Sequence, residues 1–405
     1  MYEFKLNTMN QGKQLTLESM LAQLKAAPQG RPFFITFSPA GQLPLPFIKQ
    51  LLSKLPPECE GLDLGSLIGT AKSLKVIQEI CALLANLKLK RLHAEIVLPQ
   101  RPEGELIKGF ITALPKTDYL SLAKNDLYDA PDEVFINLDS VRILDISGNQ
   151  WHCRWPEGTF TFLNNLSSDT TGIYIDLDPG SEEKVRLAMR KNFFSNLPAH
   201  VHTLGLNLYD FQDSISDLIW MKDSVSTLKW IKHWKLPLPT QLESTPSSVK
   251  TLDLSAWELG GSPVVKVNTA LAQIPKHVTT LILNKNNFHK WSQEHFVTFI
   301  SQIPSHIECI HLEGNQLFVG KTVEERNQLL KALTPYNTNG RLILNDNDYA
   351  TESSNKITPQ QQQPRSNNNV QIASSPYFMN WLNNCVNTPL DDLPEETETS
   401  TLKPN

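Results

Sequence analysis

Two stretches of the chain, Val278-Thr-Thr-Leu-Ile-Leu-Asn-Lys-Asn-Asn-Phe288 and Ile307-Glu-Cys-Ile-His-Leu-Glu-Gly-Asn-Gln-Leu317, share one pattern of apolar residues. Each has Leu or Ile at its fourth and sixth positions, Asn at the ninth and an apolar residue at the eleventh. In the first stretch, Leu281 and Leu283 therefore point to the same side of a short strand. Asn286 follows where the chain leaves that strand, and we expect its amide to bond backbone groups of a neighbouring copy.

The same pattern recurs along most of the chain. Leu281 and Ile310 are 29 residues apart, a spacing typical of leucine-rich repeats. Successive copies begin their inward alternation 24 to 32 residues apart. Independent strands of a globular domain would not keep such a frame, so the sequence predicts a solenoid. The expected first inward residues are Leu92, Leu120, Leu144, Ile175, Leu204, Leu228, Leu252, Leu281, Ile310 and Leu342.

Between the predicted strands the apolar period changes from 2 to 3.6, which indicates amphipathic helices. The clearest are residues 105–114, 182–190, 293–302 and 323–333. Several helices end in an apolar residue followed by proline, which cannot continue a helix. Strands inside and helices outside predict an α/β leucine-rich-repeat solenoid, a horseshoe with a parallel concave sheet and convex helices.

We divide the chain into four segments. Residues 1–30 are expected to cap the solenoid, and residues 31–350 are expected to form it. Residues 351–375 are rich in Gln and Asn, so we expect a disordered linker there. Residues 376–405 hold a short apolar stretch followed by an acidic tail that we also expect to be disordered.

Composition limits the classes of partner. The 405 residues include 37 basic and 42 acidic residues, for a net charge of −5. Without a clustered basic face, we expect no nucleic-acid binding. The five cysteines are scattered, which favours reduced thiols without a disulfide framework. Since no run of about 18 apolar residues occurs, we expect no membrane span.

Candidate catalytic and metal-binding residues do not form a recognisable site. His306 and His311 near Cys309 suggest a metal, but three converging ligands are not evident. Cys153 lies beside His152, without a third group to orient that base. The sequence has no Gly-x-Ser-x-Gly, Walker or dinucleotide-binding motif. We therefore expect no enzymatic activity, no metal and no cofactor.

The concave side of the predicted sheet presents one central outward residue per coil. The expected column reads Asp63, His93, Ser121, Asp145, Asp176, Gly205, Lys229, Asp253, Ile282, His311 and Ile343. Stacked strands lie about 4.8 Å apart, so its carboxylates would share a negative potential. For each aspartate alone, we favour a structural role in the Leu-Asp-Leu frame over a role in binding a partner. For the column as a whole, we predict a protein-binding face formed by Asp63, His93, Asp145, Asp176, Lys229, Asp253 and His311.

The repeat unit and the tail both resemble a known family. The unit Ile-Pro-x-His-Val/Ile-x-x-Leu/Ile-x-Leu-x-x-Asn, present at 274–288 and 303–317, is similar to that of the leucine-rich-repeat effectors of Legionella. Glu395, Glu396 and Glu398 precede a Thr-Ser-Thr sequence and resemble the glutamate-rich signal that directs this family into the Dot/Icm type IV secretion system. The resemblance implies a virulence effector made in the bacterial cytoplasm, secreted into the host cytosol, and acting there by binding another protein.

Two functional hypotheses follow. The leading one is a monomeric, non-enzymatic effector that engages a host protein or a companion effector through its repeat surface. The alternative is an adaptor that recruits substrates to a host ubiquitin ligase, with a docking element in residues 1–56 or 376–386. The ligase domain that some bacterial repeat effectors carry would not fit in the residues after the last repeat.

Overall fold

The computed structural model describes residues 2–10, 13–27, 30–38, 43–69, 73–95, 97–151, 160–177, 183–207, 211, 215–232, 242–345 and 347. The strands within these residues are β1 Tyr2–Asn7, β2 Met9–Asn10, β3 Lys13–Gln14, β4 Phe33–Ser38, β5 Cys59–Asp63, β6 Arg91–His93, β7 Tyr119–Ser121, β8 Ile143–Asp145, β9 Gly172–Ile175, β10 Thr203–Asn207, β11 Thr227–Ile231, β12 Thr251–Asp253, β13 Thr280–Ile282, β14 Cys309–His311 and β15 Leu342–Ile343. Thirteen of these described strands form one parallel sheet in chain order, from β1 and β4 through to β15. Strands β2 and β3 form a separate antiparallel pair.

Helices connect many of the strands. Their bounds in the described part of the chain are α1 Leu17–Lys25, α2 Leu45–Leu52, α3 Leu64–Ile68, α4 Leu74–Leu84, α5 Gly104–Ala113, α6 Glu183–Asn196, α7 Val264–Leu271, α8 Gln293–Gln302 and α9 Val323–Leu333. The four helices predicted from the sequence are confirmed as α5, α6, α8 and α9. In other coils a short 3-10 turn, such as Asp132–Asn137, takes the place of the helix.

The inward residues of neighbouring strands lie in register, as the repeat frame predicts. Leu120 pairs with Leu144, and Leu252, Leu281 and Ile310 follow one another on β12, β13 and β14. All five side chains are buried and share one core cluster with the buried residues of the helices. The chain is therefore an α/β leucine-rich-repeat solenoid, with a parallel sheet on one side of the core and helices on the other.

One coil departs from the predicted frame. The apolar pattern predicts Ile175 as the first inward residue of β9, but Ile173 pairs with Leu144 on one side and Leu204 on the other. Residues 173, 175 and 177 are all apolar, so alternation alone allows frames that differ by two residues. The prediction of Ile175 is wrong, because pairing with the neighbouring strands fixes the register.

Asparagines after the strands tie neighbouring coils together, as predicted for Asn286. The Asn286 Nδ2 donates to the Leu254 carbonyl at 2.9 Å, and its backbone N–H donates to Asn315 Oδ1 at 2.7 Å. The backbone N–H of Asn125 donates to Asn149 Oδ1 at 2.8 Å in the same way. These buried amides satisfy backbone groups that would otherwise lose their water without gaining a partner.

The described part of the first 30 residues contributes the strands β1, β2 and β3 and the helix α1. Thr16 caps α1, where its hydroxyl accepts from the Ser19 N–H at 3.3 Å. Strand β1 extends the sheet beyond β4. The boundaries of the four predicted segments stay predictions, and the expected linker and tail at 351–405 lie outside the described residues.

Candidate protein-binding surface

The side of the sheet turned away from the core, which we call the sheet face, carries three columns of side chains. Alternation along each strand gives one residue per coil in a central column, a second two positions before it and a third two positions after it. Every expected member of the central column is confirmed in place except Asp176. The column consists of Asp63, His93, Ser121, Asp145, Tyr174, Gly205, Lys229, Asp253, Ile282, His311 and Ile343.

Tyr174 takes the place predicted for Asp176. It pairs with Asp145 on one side and with Gly205 on the other, whereas Asp176 lies two residues further along the chain. A Cβ atom at Gly205 would overlap the Tyr174 ring, so this glycine leaves the space that the ring occupies. The predicted position of Asp176 is wrong because the frame of β9 is shifted by two residues, and its role in binding stays a prediction.

Two aspartates of the central column bond to neighbouring groups of the same chain. Asp63 is the N-cap of α3 and accepts from the Ser66 N–H at 2.9 Å, and burial raises the pKa of its carboxyl. Asp145 accepts from the Ser147 N–H at 3.1 Å, from the Ser147 hydroxyl at 2.7 Å and from the Tyr119 hydroxyl at 3.2 Å. These bonds hold both carboxylates in place and stabilise the first turn of α3 and the turn that follows β8.

Lys229 and Asp253 form an ion pair between neighbouring strands, with 3.4 Å between Nζ and Oδ2. The Lys229 ammonium also lies 5.2 Å from the centre of the Tyr174 ring, and Asp253 accepts from the Ser255 N–H at 2.8 Å. Asp145 lies four strands away from Asp253 in the sheet. The structure thus brings Lys229 and Asp253 together, while the predicted carboxylates do not meet at one point.

A row of aromatic rings crosses the sheet face from β4 to β9. Ring centres are 4.6 Å apart for Phe34 and His93, 5.4 Å for His93 and Tyr119, and 6.2 Å for Tyr119 and Tyr174. The guanidinium of Arg91 lies 4.1 Å from the centre of the Tyr119 ring, a cation–π contact. Only His93 belongs to the predicted set. The strand alternation, applied two positions before the central column, indicates Arg91 and Tyr119 as well.

The two predicted histidines have different surroundings. Burial, followed by the charge of Arg91, lowers the pKa of His93 to about 3. Glu95 Oε1 lies 3.7 Å from its Nδ1, but burial raises the pKa of Glu95 too, so the pair is not a strong ion pair. His93 is therefore a neutral ring in the aromatic row near pH 7. His311, near the other end of the sheet, lies 3.3 Å from Glu313.

Charge is distributed unevenly over the three columns. Between β5 and β9 the carboxylates outnumber the cations, and between β10 and β15 the two signs balance. The sheet face therefore has a negative, aromatic half and a neutral half. The charged residues are Asp63, Arg91, Glu95, Asp145 and Asp176 in the first half, and Lys229, Asp253, Glu313 and Arg341 in the second.

The neutral half carries a ladder of threonines in the column before the central one. Thr203, Thr227, Thr251 and Thr280 pair in succession on β10 to β13. Stacked strands place equivalent residues about 4.8 Å apart, and all four side chains are half-buried. Their hydroxyls form a regular row of hydrogen-bond donors and acceptors on the sheet face.

Other kinds of site find little support in the described part of the chain. No group of three His, Cys, Asp or Glu side chains in this part could hold a metal ion. None of its helices is long and apolar enough to cross a membrane. Burial raises the pKa of Cys59 and of Cys81 to about 12, so both thiols are weak nucleophiles. Outside the described residues lie His152, Cys153, Glu395, Glu396 and Glu398.

Comparisons with known proteins give only distant structural similarity. No protein-family model matches the sequence, and no curated protein matches it. The leucine-rich repeat-containing protein LegL7 from Legionella pneumophila is 17% identical, with a TM-score of 0.38 over 87% of this chain and 94% of that chain. A structure of the TLR13–ssRNA13 complex is 16% identical, with a TM-score of 0.27 over 72% of this chain and 40% of that chain. The Toll–Spatzle complex of Drosophila is 14% identical, with a TM-score of 0.29 over 80% of this chain and 44% of that chain.

Proposed function

We propose that the protein is a non-enzymatic binding protein that holds a protein partner on its sheet face. The observation that carries this proposal is the aromatic row of Phe34, His93, Tyr119 and Tyr174, together with Arg91. Aromatic and arginine side chains are enriched at protein–protein interfaces and among their hot spots. Because these side chains already hold one another in place, they would lose little conformational entropy when a partner binds.

A pair of positions on each side of the solenoid tests this proposal. A photo-crosslinking amino acid at Ile143 or Thr203 lies on the sheet face beside the aromatic row, whereas one at Lys266 or Thr298 lies at an exposed position on α7 or α8. We expect discrete adducts with a protein of host lysate from the first pair and none from the second. Adducts from the helix positions alone would place the partner on the other side and contradict the proposal.

We further propose that the protein acts as an effector, exported into a host cytosol, that engages a host protein or a companion effector there. The resemblance of the units at 274–288 and 303–317 to those of Legionella effectors supports this proposal, as does the glutamate-rich tail. Deleting 387–405 should leave the solenoid folded and abolish translocation of a reporter fusion. The triple change Glu395→Gln, Glu396→Gln, Glu398→Gln should have the same effect without shortening the chain. Undiminished translocation of both variants would contradict the proposal that the tail directs export.

A further inference from the structure

Among the described strands, β1 lies at one edge of the sheet, and one side of its backbone has no neighbouring strand there. In a parallel pair the N–H and C=O groups of one residue point to the same neighbour. The Thr8 N–H donates to the Ser38 carbonyl at 2.8 Å, which shows that even-numbered residues here face β4. The N–H and C=O groups of Glu3 and Lys5 therefore point away from β4, and they have no partner among the described residues.

The open side ends at Asn7. The Asn7 N–H donates to Gln23 Oε1 at 2.9 Å, and its carbonyl accepts from Gln23 Nε2 at 3.0 Å. This side-chain amide completes the hydrogen bonding of the strand end in the way that a further strand would. Within the described residues, four backbone groups, the N–H and C=O of Glu3 and of Lys5, are left without a partner. Both of these side chains are exposed, and neither has an ion-pair partner within the described residues.

We propose that β1 pairs in the antiparallel sense with β1 of a second copy of this chain. When Phe4 of one copy lies opposite Phe4 of the other, Glu3 of each copy lies opposite Lys5 of the other. Opposed residues of this type exchange both of their N–H···O bonds. The pairing therefore satisfies the four open groups of each copy and places two Glu–Lys pairs on the sheet face.

The charge pattern selects one register. The alternatives that use the same backbone groups place Glu3 opposite Glu3 or Lys5 opposite Lys5, and like charges directly opposite each other are destabilising. A two-fold contact of this kind closes on itself and stops at a dimer. The sheet of one copy then continues into the sheet of the other, with both sheet faces on the same side.

The test is sedimentation velocity on the full chain, with protein between about 1 and 200 µM to span micromolar affinities. The unchanged protein should show a reversible monomer–dimer equilibrium. Lys5→Glu or Glu3→Lys alone should weaken dimerisation about tenfold, because each creates two like-charge pairs. The double change Glu3→Lys, Lys5→Glu should restore it. An equimolar mixture of the two single variants should also restore it, since one copy then offers two lysines to the other copy's two glutamates.

Lys266→Glu on α7 is the matched control, because it makes the same charge change at an exposed position away from the edge. It should leave dimerisation unchanged, and circular dichroism should show that every variant is folded. A monomer at all concentrations, as expected from the sequence, would overturn the proposal. Assembly beyond a dimer, equal weakening by Lys266→Glu, or failure of both charge-swapped combinations to restore the dimer would overturn it as well.

Discussion

The indole N–H of Trp257 donates a hydrogen bond of 2.7 Å to the backbone carbonyl of Trp230 in the preceding coil. Asn286, at the equivalent position one coil later, donates to the Leu254 carbonyl at 2.9 Å. Since Leu228 pairs with Leu252, the acceptors Trp230 and Leu254 are equivalent residues of neighbouring strands. A tryptophan thus replaces the repeat's asparagine as donor to the same backbone group.

Replacing Trp257 by Phe should therefore lower the free energy of unfolding more than replacing Trp230 by Phe. Both indoles are buried, at 4% and 1% exposure, so the loss of volume is similar. The Trp230 indole N–H has no hydrogen-bond partner among the described residues, and its removal breaks no such bond. We expect a difference of about 1–3 kcal/mol in urea unfolding, the cost of leaving a buried carbonyl without its donor. Equal losses would show that the indole is only a space filler.

Asn286→Ala should destabilise the protein by about 1–3 kcal/mol, because it leaves the buried groups that Asn286 bonds without their partner. These groups include the Leu254 carbonyl and the Leu259 N–H. Asn315→Ala removes the equivalent amide of the next coil and should have a similar effect. Urea unfolding of both variants checks this, and a change near zero in either would contradict the role assigned to that turn.

The ion pair of Arg190 and Asp217 joins α6 to the next coil and is buried, with residue exposures of 5% and 7%. Arg190→Met would leave the aspartate buried without its cation, so we expect a loss of about 3–5 kcal/mol in the free energy of unfolding. The exposed pair of Lys116 and Asp139, at 3.1 Å, provides the control. Lys116→Met should change stability by less than about 1 kcal/mol. Comparable losses in the two variants would rule out burial as the cause.

His93 should make the protein sensitive to mild acid. Its pKa is lowered to about 3 in the folded state, against about 6.5 in the unfolded chain. Between these values the unfolded state binds a proton that the folded state does not, so stability falls as pH decreases below about 6.5. The raised pKa values of Asp63 and Glu95 act in the opposite sense, because these carboxyls bind protons at a higher pH in the folded state than in the unfolded chain.

The His93→Gln variant isolates this contribution, because it removes the titrating ring. On going from pH 7 to pH 5, we expect the unchanged protein to lose about 1–2 kcal/mol more than the variant. Urea unfolding at the two pH values measures the difference. Equal losses in the two proteins would mean that folding does not lower the pKa of His93, so that the ring is protonated in the folded state at pH 5.

The sequence predicts the repeating part of the fold well, because every coil imposes the same alternation on its strand. The alignment of Leu120 with Leu144 on neighbouring strands, and of the equivalent residues in other coils, follows from that period alone. The register of β9 does not, since residues 173, 175 and 177 are all apolar. Only pairing with β8 and β10 decides between those frames.

Much of the sheet face depends on contacts that a period cannot specify. The stacking of Arg91 on Tyr119 is set by side-chain conformations across neighbouring strands. Phe34 belongs to a coil without the repeat's asparagine, so the repeat pattern does not fix which residues of that strand face outward. The bonds from Gln23 to Asn7 join residues 16 positions apart and depend on how α1 packs beside β1.

The asparagines make the same contacts in successive coils, so that one coil can take the place of another. Asn286 and Asn315 perform the same task 29 residues apart, and deleting 275–303 would join Ile274 to Pro304 in the sequence context that Ile303 now provides. Recombination between such copies would shorten or lengthen the sheet by one strand, about 4.8 Å, without disturbing the rest. The length of the sheet face is therefore open to change by gene rearrangement, independently of the side chains that it carries in the remaining coils.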